Sequence, residues 1–150
     1  ILDNSKYEKI PIFPYSVKYN SAFYGPFREA AKSSPNFGDR KTYQMNFKNS
    51  EEAINEVKLD INEGADVIII KPAISYLDII YRIKQKFNVP IIAYNVSGEY
   101  TMVKSASEKN FINGIETILE ILHSIKRSGA NAIISYHALE VAKYLKANDL

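Results

Sequence analysis

Two lysines stand where chemistry is most easily done. Within Ala65-Asp66-Val67-Ile68-Ile69-Ile70, the last four residues are an apolar, β-favouring run without alternation, and it ends in Lys71-Pro72. Such a run reads as a strand buried on both faces of a parallel sheet. A lysine at its inner end has two uses. It can pair with a buried carboxylate, or it can serve as an amine in a dry site. Burial disfavours the ammonium and lowers the pKa from about 10.4 towards about 7–8. The neutral amine can then attack a carbonyl and form an imine. The residues alone leave both uses open. A second lysine, Lys18, follows Ile10-Pro11-Ile12-Phe13-Pro14-Tyr15-Ser16, a segment that reads as a short strand despite its two prolines.

The elements that must position these amines can be read in order. After Lys18 comes the aromatic stretch Tyr19 to Arg28. Lys32 to Thr42, rich in Ser, Pro, Asn and Gly and carrying Arg40 and Lys41, reads as a long loop, either an active-site lid or a solvated connection. Ser50 with Ala53, Ile54, Val57 and Ile61 predicts a capped amphipathic helix closed by Gly64. Ser75 opens a second helix with Ile79, Ile80 and Ile83 on one face. Val89 to Asn95 is the third strand, and helical segments then run to about Arg127. Ala130 to Tyr136 is the fourth strand, and Ala138 to Leu145 a last helix.

The order β-α-β-α-β-α-β-α implies a parallel sheet covered by helices. A full eight-unit barrel needs about 250 residues, and this chain has 150. It is therefore a four-stranded open sheet or half of a barrel. Lys18, Lys71, Ser97 and Tyr136 all fall at C-terminal strand ends, which form the active face of a barrel, so the half-barrel is favoured. Ile1 rather than Met stands first, and the expectation is of an N-terminus cut or never recorded.

Composition excludes several classes. A net charge of +2 with scattered basic residues leaves no nucleic-acid footprint. No apolar run is long enough to cross a membrane, and nothing resembles a signal segment. The absence of cysteine excludes disulfides and thiolate metal sites within these residues. No Gly-rich phosphate loop follows any strand.

Several blocks together resemble the porphobilinogen synthase (5-aminolevulinate dehydratase) family. They are Tyr15-Ser16-Val17-Lys18, Phe23 to Ala31, Gly38 to Met45, Gly64-Ala65-Asp66, Lys71-Pro72-Ala73, Tyr76 to Ile79, Val96-Ser97-Gly98-Glu99-Tyr100 and Ser128-Gly129-Ala130 leading to Tyr136. The resemblance runs from about Ile10 to Leu145, with Ile69-Ile70 where many members carry Met-Val. It implies a (β/α)8 TIM barrel, of which residues 1–150 would be the C-terminal half of a single catalytic domain. The implied activity is condensation of two 5-aminolevulinate molecules to porphobilinogen in tetrapyrrole synthesis, through imines on Lys18 and Lys71. Lys71 would hold the first substrate, the propionate side, and Lys18 the second.

Resemblance also assigns the binding residues. Arg28, Arg40 and Gln44 match binders of the second substrate's carboxylate, a role suited to the arginine fork. Ser97 and Tyr136 match hydroxyl donors to the first carboxylate, and Tyr24 an aromatic residue over the site. Read without the family, Tyr24 and Tyr136 fit core aromatics and Arg28 fits a surface pair with Glu29 or Asp39. The family's active-site zinc or magnesium would be held by a segment preceding this chain. Glu56 matches the ligand of an allosteric magnesium, and otherwise reads as a solvated helix face. His123 and His137 are not backed as site residues. The family forms homo-octamers through an N-terminal arm and works in cytosol or plastids. The rivals are a one-lysine imine-forming aldolase on the same fold and a non-catalytic fragment.

Overall fold

The computed structural model describes residues 4–32 and 43–149. Its centre is a four-stranded sheet in the order β1 (Val17–Lys18), β2 (Ile68–Lys71), β3 (Ile91–Asn95), β4 (Ala132–Ser135), every pair parallel. Helices α1 (Gly25–Ala30) and α2 (Glu51–Asn62) lie between β1 and β2, and α3 (Leu77–Lys86) between β2 and β3. Helices α4 (Ser97–Glu108) and α5 (Gly114–Ser128) lie between β3 and β4, and α6 (Ala138–Ala147) follows. This is a run of four βα units of the (β/α)8 kind, as the pattern predicted.

Strand parity sorts the side chains. Val17, Ile68, Ile70, Ile91 and Ala93 fall on one face and are completely buried. They pack with Ala53, Ile54 and Val57 of α2, Ile79, Ile80 and Ile83 of α3, and Ile125 of α5. The β-branched run of β2 suits a strand covered in this way, and Ile69 is buried too, at 6 % exposed. Lys18, Lys71, Ile92 and Tyr94 take the alternate positions and share the other face.

Two local expectations need correction. Ile10–Ser16 forms no strand: the chain accompanies β2 through Asp66 N–H to Ile12 O (3.1 Å) and Ile69 N–H to Pro14 O (3.1 Å). Pro11 and Pro14 have no N–H to return, so no ladder develops until Val17. Asn49, not Ser50, caps α2: its Oδ1 accepts from Glu51 N–H (3.0 Å) and Glu52 N–H (3.3 Å). Ser50 Oγ instead accepts from Arg82 Nη1 (2.6 Å). The aromatic stretch, left unassigned by its sequence, is a 3-10 turn, Ala22–Tyr24, running into α1. The loop expected over 32–42 lies, after Lys32, outside the described residues.

Candidate active site at the strand ends

Lys18 and Lys71 are register partners at the C-terminal ends of β1 and β2. Adjacent strands run about 4.8 Å apart, so the two amines rise side by side from the open face. Lys71 Nζ is surrounded by rings, lying 4.4 Å from the centroid of Tyr94, 5.2 Å from Tyr15 and Tyr24, and 6.0 Å from Phe27. Ring faces attract an ammonium. Burial, first, and the charge on Lys18, second, act the other way and bring Lys71 down to about 8. No carboxylate among the described residues forms a salt bridge with it. The sequence had left two uses for Lys71 open, and no described carboxylate provides the partner that the paired one needs.

The ring box is built from three directions. Tyr24 donates its hydroxyl to Lys71 O (3.1 Å), which clamps the strand end, and burial pushes its pKa up. Its placement follows from the 3-10 turn, capped by Ser21 Oγ accepting from Phe23 N–H (3.1 Å). That turn rests on the start of α4, where a Cβ on Gly98 would stand 2.5 Å from Phe23 O. Only glycine lets the two backbones approach so closely. Ser97 Oγ accepts from Phe27 N–H (3.1 Å) and donates to Phe23 O (3.4 Å). The Ser97 hydroxyl expected to face a substrate carboxylate is thus engaged with the α1 segment here.

The predicted residues converge. One cavity is lined by Lys18, Tyr24, Arg28, Gln44, Lys71, Ser97 and Tyr136, together with Phe27, Tyr94 and Val96. Arg28, one helical turn after Tyr24, holds its guanidinium carbon 5.4 Å from the Tyr24 ring. Gln44 reaches the site because Met45 N–H donates to Lys18 O (3.1 Å), which draws the segment alongside β1. Its amide is buried, and both its oxygen and nitrogen lack a partner among the described residues. A buried amide without partners beside two amines is poised for a polar ligand. Arg40 lies outside the described residues.

Sequence reasoning missed Tyr15, Phe27 and Tyr94 as walls of the box. Tyr94 had a readable signal, since it occupies the same strand parity as Lys71 one strand over. Burial pushes its pKa to about 12, helped by its hydrogen bond with Tyr136. His137, set aside from the sequence, is 2 % exposed, with its ring 4.6 Å from that of Tyr100. Burial lowers its pKa despite Glu140. His123 is exposed on α5, its Nδ1 2.8 Å from Leu119 O.

Glu56 stands apart from this cavity. It is exposed on α2 and lines a separate hollow with Glu52, Ser16 and Lys18. Among the described residues, no three His, Cys, Asp or Glu side chains gather where a metal could be held. No helix of the described residues is long and apolar enough to cross a membrane.

Four parallel βα units whose strand ends gather two lysines, an arginine and a glutamine around one cavity define the class, part of a (β/α)8 barrel with a candidate site at its C-terminal strand ends. A family profile described as delta-aminolevulinic acid dehydratase matches residues 1–144, and the chain belongs to that family. The delta-aminolevulinic acid dehydratase of Synechocystis is 55% identical over 145 residues, covering 97% of this chain and 44% of that protein. That of Bacillus subtilis is 55% identical over 144 residues, again 44% of its length. The crystal structure of the Toxoplasma gondii enzyme in complex with its reaction product porphobilinogen superposes with a TM-score of 0.92. It is 47% identical, and the match covers 95% of this chain and 41% of that one. The chain thus spans less than half the length of these relatives.

Proposed function

We propose that these residues supply the C-terminal half of a porphobilinogen synthase barrel, in which two 5-aminolevulinate molecules condense to porphobilinogen with loss of two waters. The observation that carries this reading is the Lys71 amine, in register with Lys18 inside a box of rings, where burial and the Lys18 charge bring it down to about 8. Such an amine is neutral near pH 7 far more often than a solvated lysine. Each amine attacks the ketone of one substrate, water leaves, and an imine forms. Lys71 takes the substrate that becomes the propionate side and Lys18 the other. Closing the pyrrole ring returns both lysines as free amines.

The remaining residues serve the two carboxylates. Arg28 and Gln44, with Arg40, receive that of the second substrate, by charge and by the unpartnered amide. Tyr136, 45% exposed on the cavity wall, offers its hydroxyl to that of the first. Ser97 does the same once its hydroxyl proton leaves Phe23 O. Tyr24 closes the site over the Lys71 imine.

The described residues do not by themselves fit the divalent metal that members of this family use. Among the described residues, Glu56 has only Glu52 beside it as a carboxylate in its hollow. It is proposed as a single-carboxylate ligand of an allosteric magnesium whose other ligands are water. Assembly as a homo-octamer belongs to the same proposal for the whole protein.

Borohydride trapping with 5-aminolevulinate on the full-length protein, followed by peptide mapping, tests the reading. Label on the Lys71 peptide at low substrate, and on the Lys18 peptide as substrate rises, is the expected result. No label on either overturns it. A one-lysine aldolase would keep turning over after Lys18→Met, whereas a porphobilinogen synthase would not.

A further inference from the structure

Glu99 is completely buried, and the chemistry above does not use it. Its carboxylate takes four N–H donors. Oε1 accepts from Ala73 N–H (3.2 Å) and Ile74 N–H (2.6 Å), the residues that follow Lys71-Pro72. Oε2 accepts from Val96 N–H (2.7 Å) and Asn95 Nδ2 (3.2 Å), at the end of β3. Asn95 Oδ1 then accepts from Ser135 Oγ (2.8 Å) at the end of β4. Only an ionised carboxylate offers acceptor positions for four donors at once. Burial pushes its pKa up, and these bonds pull it only part of the way back.

We propose that Glu99 is a positioning residue: one buried carboxylate ties the turn after Lys71 to the ends of β3 and β4, and so fixes the Lys71 amine against the Tyr94 ring. Its effect on turnover rests on the imine reading above; its effect on the amine does not. Glu99 acts through place rather than charge. The charges felt at Lys71 are those of Lys18, while Glu99 is felt by Tyr24 and Tyr76. Place and charge predict opposite signs. Losing a nearby negative charge would lower the pKa of Lys71. Losing the clamp lets water reach the amine and raises it towards about 10.4.

The experiment uses the full-length protein and measures reductive methylation by 13C-formaldehyde and cyanoborohydride against pH, read peptide by peptide. Lys104, on α4 and away from the cavity, is the internal reference. In Glu99→Gln the Lys71 profile moves up by about one pH unit, and Lys104 does not move. The core variant Ile80→Val, which loosens the fold without touching the clamp, leaves Lys71 in place. An unchanged or lowered Lys71 profile in Glu99→Gln overturns the proposal. Should Glu99→Gln fail to fold, Glu99→Asp decides. It keeps the charge and the local bond to Val96 N–H but withdraws from Ala73 and Ile74, so an upward shift supports the clamp and an unmoved profile overturns it. Failure of the enzyme reading looks different: the wild type traps no 5-aminolevulinate, while its Lys71 profile still answers to Glu99.

Discussion

The two faces of the sheet obey different rules. On the helix-covered face Val17, Ile68, Ile70, Ile91 and Ala93 are all excluded from water and belong to one hydrophobic cluster. On the other face, the same strands present Lys18, Lys71 and Tyr94. One face stores stability and the other holds chemistry, although successive residues of one strand alternate between them. Substitutions should therefore separate cleanly, with stability and activity responding to neighbouring positions.

The largest separation is expected at β2. In the full-length protein, if the proposed imine chemistry holds, Lys71→Met should lower turnover of 5-aminolevulinate by about four orders of magnitude or more. Its unfolding midpoint in urea should stay near wild type or rise, because a buried amine is replaced by an apolar chain. Ile70→Ala, one residue earlier, should cost about 2–5 kcal/mol of stability while the folded fraction still traps substrate. Equal losses of both properties in the two variants would break the distinction between faces.

Much of this division was legible beforehand. The uninterrupted Ile68-Ile69-Ile70 run announced a buried strand, and its terminal lysine marked a position whose use the residues alone left open. What the sequence hid depends on through-space partners. Nothing at Glu99 hints at backbone donors from Ala73 and Ile74, 26 and 25 residues away. Asn49 outcompeted Ser50 as the cap because Arg82, from the next helix, claimed the serine. The Tyr15 and Phe27 walls lie in irregular or 3-10 and short helical backbone, where side-chain direction follows no period.

A middle-sized effect is expected where the open face meets α1. Gly98→Ala puts a Cβ against Phe23 backbone and must push the Tyr24 turn outward. About tenfold weaker substrate binding, seen as a raised KM, with the fold retained, is expected. An unchanged KM would show that the turn does not position the site.

The pH dependence sharpens the contrast within one residue. Lys71 titrates at about 8 when folded and at about 10.4 when unfolded. Below pH 8 the amine is charged in both states, and its burial penalty is fully present. Between about 8 and 10.4 the unfolded chain binds more protons, so this residue's contribution to stability improves as pH rises. Lys71→Met should flatten that segment of the stability profile, and imine formation should climb through pH 8 in the wild type. The smallest effect belongs to the surface: Arg82→Ala breaks the pair with Glu51 (2.6 Å) and should leave trapping unchanged, with thermal unfolding barely moved.

The register between Lys18 and Lys71 has a consequence for how this gene can change length. Because parity decides which face a side chain occupies, inserting or deleting one residue within β1 or β2 would turn an amine into the helix layer and a hydrophobe into the cavity. Viable length changes in these strands come in pairs, whereas the connections on the far side of each helix can gain or lose single residues. The site is therefore guarded less by the identity of its neighbours than by the arithmetic of its strands.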